Sequence, residues 1–319
     1  MLALLPLLLA ATPAPTSDLA GSWDLTLAET TIFRLEIATG PDGMTASWVR
    51  PEHFESDGES FSRLSGPTVT RKARSIRNVD GDVELSFDDP RPKTMPDVLR
   101  LHRVGAAQIE VIYEGTGWAP FRFARSKPHP AALGPWLRER DYRVIRPDNP
   151  EMAAIFKADQ ADRQPGPKID WSVVKPADKK RRQRTQELLN AGQLQSAEDY
   201  FGAAFVFQHG SKPDDFLQAH LLAMVAVARG KREALWIASA TLDRYLQTIG
   251  KPQVLGTQFS MPRNAPVTQE PYNRTLISDA MRRALLVPDL AQQEQRRQRY
   301  QAQSDAAKAA PTPPPAAAP

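Results

Sequence analysis

Apolar and polar residues alternate along the first part of the chain, which is the pattern of half-buried β-strands. Trp23, Leu25 and Leu27, for instance, are separated by single polar residues. The same alternation recurs over residues 33–37, 83–88, 109–113 and 121–123. Turn-forming sequences rich in glycine and aspartate separate these stretches. Residues 18–126 are therefore predicted to form an antiparallel β domain, a small barrel or sandwich, because closure removes exposed strand edges.

From residue 149 the apolar spacing changes to three or four residues, which is typical of amphipathic helices. Asn149 and Pro150 supply an N-cap and a proline at the first helical position. Ser196 and Asp199 have the spacing of a capping box. Residues 149–300 are predicted to form an all-α helical bundle, so the expected fold class is α+β with two domains.

Two proline-containing segments show neither the alternation of strands nor the spacing of amphipathic helices. Six prolines fall between Pro120 and Pro150, and residues 127–148 are predicted to be a Pro-rich basic linker. Residues 301–319 consist largely of alanine and proline. They are predicted to be a disordered tail, because they cannot bury enough apolar surface to offset chain entropy.

The chain opens on an apolar run followed by small residues, over residues 1–15. The run is too short to cross a bilayer, which needs about 20 apolar residues. It has the pattern of a signal peptide cleaved after Ala11 or Ala14, although no lysine or arginine precedes it. A buried N-terminal segment is the alternative. The protein is accordingly predicted to be periplasmic or secreted.

Composition excludes several classes of chemistry. The chain has no cysteine, which excludes a disulfide framework, a cysteine-ligated metal and a thiol nucleophile. Its densest basic run is Lys179, Lys180, Arg181, Arg182 and Arg184. No aromatic residues are interleaved there for base stacking, so nucleic acid is not an expected partner. A solvated helix start and a contact with an anionic envelope surface remain as alternatives for this run.

His209, His220 and Asp243 are the candidate catalytic residues, since a histidine base oriented by an aspartate is a common hydrolase arrangement. No recognisable nucleophile motif accompanies them. The two histidines are eleven residues apart across a predicted turn, unlike metal ligands one helical turn apart. No metal and no cofactor are predicted.

A structural role competes with catalysis for both histidines. His220 shares a helical face with Phe216, Met224 and Val227, which predicts a buried imidazole that pairs with Asp243. His209 precedes a glycine that ends a predicted helix, where an imidazolium would interact favourably with the helix dipole.

A second set of polar residues is predicted to bind a ligand or to form a polar network between helices. These residues are Asp159, Asp162, Arg163, Gln208, Arg244, Gln253 and Gln258. Asp159 and Arg163 have the i,i+4 spacing of an ion pair. Buried aspartate and arginine need complete hydrogen bonding, so such a set either fixes helix register or lines a pocket. The sequence leaves both cases open.

The ordered polar signature of the helical half resembles a bacterial domain family of unknown function. The matching motifs are Asp159-Gln160-x-Asp162-Arg163, Phe207-Gln208-His209-Gly210, Ala219-His220-Leu221-x-Ala223, Asp243-Arg244-Tyr245-Leu246 and Gly256-Thr257-Gln258. The resemblance covers about residues 149–287 and implies an all-helical fold often associated with exported proteins, with no settled activity. Gly21-Ser22-Trp23 resembles the G-x-W start of lipocalin-like barrels.

These observations predict an exported two-domain protein that acts as a binding or interaction module of the cell envelope. Its partner would be a protein or a small-molecule ligand that the sequence does not identify. The alternative is a hydrolase with a His/Asp site in the helical domain.

Overall fold

The computed structural model describes residues 19–91, 94–130, 132–164, 169–262 and 264–309. The fold is α+β, and the chain divides into two compact units, the first ending at Ile145 and the second beginning at Arg146. The signal peptide predicted over residues 1–15 lies outside the described residues. None of the helices in the described ranges is long and apolar enough to cross a membrane.

The first unit is a ten-stranded antiparallel sheet. Its strands are β1 (Gly21–Leu27), β2 (Thr30–Gly40), β3 (Gly43–Ser56), β4 (Ser60–Lys72), β5 (Ser75–Val79), β6 (Asp82–Phe87), β7 (Asp97–Gly105), β8 (Gln108–Tyr113), β9 (Phe121–Arg125) and β10 (Tyr142–Arg143). They are ordered β10-β4-β3-β2-β1-β9-β8-β7-β6-β5. The alternation that predicted β1 is present, because Trp23, Leu25 and Leu27 are all buried.

The sheet is open, so the predicted closed barrel is wrong. Strands β10 and β5 are its two edges, and only Ala73 and Arg74 connect β4 to β5. The Ala73 amide donates to Ala46 O on β3, whereas the Arg74 amide donates to Ser86 O on β6. The chain thus leaves one end of the sheet and joins the other without a β4–β5 ladder.

The sheet is curled, and it buries one face against itself. The Trp48 ring on β3 contacts the Phe87 ring on β6, with centroids 5.7 Å apart. The Phe61 ring on β4 contacts the Phe121 ring on β9 at 5.1 Å. Both spacings are typical of favourable aromatic pairs. Because these strands are far apart in the sheet order, the contacts show that its two halves share one core.

The segment predicted as a linker, residues 127–148, instead contributes a strand to the first unit. Tyr142 on β10 pairs with Phe61 on β4 and is fully buried. The Leu137 amide donates a hydrogen bond of 2.8 Å to the Tyr142 hydroxyl. Burial of this large ring stabilises the ordered segment. The prolines of the segment also reduce the conformational entropy that is lost when it becomes ordered.

The second unit is helical. Its helices are α1 (Pro150–Ala161), α2 (Trp171–Asn190), α3 (Ala197–Phe207), α4 (Pro213–Ala228), α5 (Ala234–Thr248), α6 (Asp279–Ala284) and α7 (Leu290–Ala309). Both predicted N-termini are confirmed, because the Asn149 side chain caps α1 and Ser196 forms a capping box with Asp199 at α3.

Helix α7 extends into the segment predicted as a disordered tail. Residues 301–309 are helical, and residues 310–319 lie outside the described ranges. Alanine, the best helix former, is frequent in this extension. In addition, the Val267 amide donates to Gln301 Oε1 at 2.8 Å, which attaches the helix to the preceding loop.

Small side chains form much of the contact between the central helices of this unit. The fully buried residues include Ala203 and Ala204 on α3, Ala219 and Ala223 on α4, and Ala234 on α5. Because alanine lets helix backbones approach closely, it leaves little apolar volume between them.

We expect Tyr142→Ala to lower the free energy of unfolding of the first unit by about 3–5 kcal/mol, because it removes a buried aromatic ring. Arg143→Ala, a change at the adjacent exposed position, is the control and should cost at most about 0.5 kcal/mol. Denaturant unfolding followed by tryptophan fluorescence measures both. Equal effects of the two substitutions would show that residues 127–148 are a linker after all.

Candidate functional site

A cluster of buried and partly buried charges joins α1 to α2. Asp159 is fully buried and accepts hydrogen bonds from Arg163 Nη1 at 3.1 Å and from Gln160 Nε2 at 2.8 Å. Arg163 also donates to Asp178 on α2 at 2.6 Å. Asp178 in turn accepts from Arg181 Nη1 at 3.1 Å, and Arg181 pairs with Asp162. Each charge in this α1–α2 cluster therefore has an opposite charge beside it.

His209 lies next to the α1–α2 cluster, where α3 ends. Its Nε2 atom is 3.3 Å from Asp159 Oδ2, without hydrogen-bond geometry. Its carbonyl oxygen accepts from Arg182 Nη1 at 2.8 Å. The neighbouring Gln208 carbonyl accepts from Arg244 Nη1 at 3.0 Å. Two arginines thus satisfy carbonyl groups at the C-terminal end of α3, which have no partner within the helix.

Asp243 is fully buried on α5 and accepts four hydrogen bonds from one loop. Its Oδ1 atom accepts from the amides of Val254 and Leu255 at 2.8 and 3.0 Å. Its Oδ2 atom accepts from the amide and the hydroxyl of Thr257 at 2.9 and 2.8 Å. Both carboxylate oxygens are therefore fully engaged in holding residues 254–257.

Two glutamines link this loop to Arg244. Gln258 Oε1 accepts from Arg244 Nε at 3.0 Å, and Gln258 Nε2 donates to the Ala240 carbonyl at 3.1 Å. Gln253 exchanges two hydrogen bonds with the Gln258 backbone, at 3.0 and 3.1 Å. Burial lowers the pKa of the Arg244 guanidinium below its usual value. The structure thus places Arg244, Gln253 and Gln258 in one network.

His220 does not pair with Asp243, and that prediction is wrong. Its Nδ1 atom lies 2.9 Å from the Ala238 carbonyl of α5, and its side chain is only half-buried. Met224, expected on the same buried face, is 47% exposed. The buried face of α4 is instead formed by Ala219, Leu222, Ala223 and Ala226. This face is formed largely by small residues, which allow close contact between helices. The prediction of the buried face was wrong because it was based on the larger side chains.

The basic run on α2 is divided between the protein interior and its surface. Arg181 and Arg182 make the partly buried contacts described above. Arg184 is held by Glu151 and Glu187 at 2.6 and 2.7 Å. Lys179 and Lys180 are exposed. Only two of the five predicted cations are therefore exposed without an ion pair within the described ranges.

Across the part of the chain that the structure describes, no group of three or more histidine, aspartate or glutamate residues could hold a metal ion. Of the candidate catalytic residues, His209 approaches Asp159 rather than Asp243. The predicted combination of a histidine with Asp243 does not occur.

Sequence reasoning missed an open cleft in the first unit. It has a volume of about 540 Å³, within the usual size range of ligand sites. Strands β3 and β4 and the segment after β6 provide its walls. The arginines that line it are Arg50, Arg63, Arg71, Arg91 and Arg138, and the acidic residues are Glu52, Glu55 and Asp89.

Arg50 and Arg71 form the floor of this cleft. Arg50 is buried, lies over the Trp48 and Phe54 rings and donates to the Pro51 carbonyl at 3.0 Å. Arg71 donates to Asp97 Oδ2 at 2.9 Å, and Arg50 Nη1 is 3.4 Å from the same oxygen.

The pKa values of Arg50 and Asp97 are shifted because these two residues and Arg71 lie close together in a partly buried position. Burial and the nearby positive charge of Arg71 lower the pKa of Arg50 to about 10. Burial also raises the pKa of the Asp97 carboxyl, against the opposing effect of the two arginines. Arg71 Nη1 also lies 4.0 Å from Asp89 Oδ2, and Asp89 pairs with Arg91 as well. Three cations thus share two carboxylates at a partly desolvated floor, which favours binding of a further anion.

One signal in the sequence could have revealed this cleft. Ala46, Trp48 and Arg50 occupy alternate positions of β3, and all three are buried. An arginine at an inward position of an alternating strand is unusual and calls for a buried partner. Arg71 lies directly opposite Trp48 in the β3–β4 register, so it shares that inner face.

Comparison of the chain with known protein families, with curated proteins and with solved structures finds no match. The two resemblances stated from the sequence therefore stay predictions.

We expect Asp243→Asn to lower the free energy of unfolding of the second unit by about 2–4 kcal/mol. The amide group would face N–H and O–H donors and leave some of them unsatisfied in the interior. Asp214→Asn, at an exposed position in the first turn of α4, should cost less than about 1 kcal/mol. Thermal or denaturant unfolding followed by circular dichroism compares the two. A cost of Asp243→Asn no larger than that of Asp214→Asn would rule out a structural role.

Proposed function

We propose that this protein is an exported binding module of the cell envelope, and that the cleft of its first unit is the ligand site. The observation that carries the proposal is the cleft itself. It is open, its volume is in the range of small-molecule sites, and partly desolvated arginines form its floor. Rigid strands hold the floor residues, so the site exists before any ligand arrives.

The hydrogen bonding of the second unit supports this assignment by favouring a scaffold role there. Asp243, Gln253 and Gln258 bind backbone groups of their own unit. Arg163 and Arg181 are each shared between two aspartates. Residues engaged in this way have little hydrogen-bonding capacity left for a substrate.

This role also offers an explanation of the polar signature that resembles a helical bacterial family. The signature residues Asp159, Arg163, Asp243, Arg244 and Gln258 are also network residues. We therefore propose that the signature specifies the fold of this unit rather than an activity. The G-x-W resemblance is compatible with the curled sheet, and a lipocalin-like relationship stays a proposal.

A hydrolase with its site in the helical unit is the second candidate. One observation favours it, the approach of His209 Nε2 to Asp159 Oδ2, since a carboxylate can orient a histidine base. Turnover of ester or amide substrates that His209→Gln abolishes would favour this alternative over a binding module.

Fractionation of its own cells, followed by mass spectrometry of the protein purified from the fraction that contains it, tests the proposal. The denatured chain should lack residues 1–11 or 1–14, and the native protein should carry a small molecule that denaturation releases. Ser65→Trp, which fills the cleft at one of its lining positions, should abolish the adduct. Thr68→Trp, at an exposed position of the same strand, should retain it.

A chain of full-length mass in the cytosolic fraction would contradict export. An adduct that survives Ser65→Trp would place the ligand outside the cleft.

A further inference from the structure

We propose that the cleft of the first unit binds a small organic anion. Its carboxylate or phosphate oxygens would accept hydrogen bonds from the cleft arginines, and its apolar part would lie against Phe54. This inference rests on the proposed function and adds the chemical class of the ligand.

The lining of the cleft carries an excess of positive charge. Five arginines face three carboxylates, and His53 adds a further titratable group. Asp97, which pairs with both floor arginines, compensates one more positive charge and still leaves an excess. An anion inside the cleft would therefore interact favourably with its surroundings, and more strongly than in bulk water because the floor is partly desolvated.

Donors for that anion remain free. Arg71 uses Nη1 to bind Asp97, while its Nε and Nη2 atoms make no hydrogen bond within the described ranges. Arg138 on the cleft wall has neither a hydrogen bond nor an ion pair within those ranges. A guanidinium with two free N–H groups matches the two oxygens of a carboxylate or phosphate.

The floor arginines are already ordered. The side chain of Arg71 is 14% exposed, and that of Arg50 is fixed by two backbone carbonyls and two aromatic rings. Little conformational entropy is lost when such groups bind a ligand, and this raises affinity for a given set of contacts.

The shape of the cleft favours an organic anion over a bare inorganic ion. A volume of about 540 Å³ exceeds what one phosphate or sulfate fills, and it falls in the range of sites for small organic ligands. Phe54 and Pro90 add apolar surface beside the arginines. A molecule with an anionic head and a compact apolar body matches both features.

Calorimetric titration of the full chain with benzoate, phenyl phosphate and benzamide tests this inference at pH 7.5. Benzoate and benzamide have nearly the same shape and differ in charge. We expect benzamide to bind at least about tenfold more weakly than benzoate, because it lacks a charge-assisted contact. Raising the salt concentration should weaken the binding of benzoate and phenyl phosphate.

Arg138→Gln should weaken benzoate binding by about tenfold, and its exposed position means that it should not unfold the unit. Arg71→Gln should have a larger effect. Arg77→Gln is the matched control, since Arg77 is an exposed arginine on β5 outside the cleft lining, and it should leave binding unchanged.

Equal affinity for benzoate and benzamide would overturn the anion class while leaving a ligand site in place. Failure of all three probes to bind, or binding that Arg138→Gln and Arg71→Gln leave unaltered, would also overturn the inference. A wild-type protein that carries no small-molecule adduct, or an adduct that survives Ser65→Trp, would instead count against the proposed function, so the two failures are distinguishable.

Discussion

A carboxylate without access to water must find its hydrogen-bond donors inside the protein, and the C-terminal part of the helical unit depends on this requirement. Asp243 accepts all four of its hydrogen bonds from residues 254–257. These residues belong to no helix or strand, so their amide groups have no regular partners. The carboxylate supplies those partners and thereby fixes the path of the loop that follows α5.

Buried glutamine side chains extend the same solution to the rest of this irregular region. Gln269 donates to the Gly256 carbonyl at 2.6 Å. Gln293 on α7 donates to the Leu255 and Pro288 carbonyls at 2.9 and 2.7 Å. Side-chain amides thus replace the ladder hydrogen bonds that a sheet would provide. A network of this kind is stabilising only when every member is hydrogen-bonded. Loss of one of these side chains would therefore leave its buried partners unsatisfied and destabilise the helical unit.

The charged residues of the cleft in the first unit also need partners, but the protein supplies them only in part. Arg50 and Arg71 share Asp97, and Arg71 retains donors without partners among the described residues. The helical unit pairs its buried charges internally, whereas the cleft leaves part of its positive charge available. This contrast is the physical basis for our proposal that the first unit binds a ligand, whereas the polar residues of the second support its fold.

Local patterns predicted local structure well, and contacts between distant residues account for the errors. The alternation at Trp23 to Leu27 and the caps at Asn149 and Ser196 depend on neighbouring residues, so they could be predicted from the sequence. The burial of Tyr142 depends on Phe61 of β4, which lies 81 positions earlier in the chain. The partner of His220 depends on which face of α4 packs against α5. The cleft combines β3 and β4 with the segment after β6. The inward position of Arg50 is the sequence feature that indicates it.

The most direct test of the central claim is the NMR spectrum of the arginine side chains as phenyl phosphate is added. We predict that the Nε–H signals of Arg71 and Arg50 shift in a saturable manner, while those of Arg163 and Arg244 in the helical unit stay unchanged. Saturable shifts at Arg163 or Arg244 with none at Arg71 would contradict the account, because they would place the ligand in the polar network of the helices.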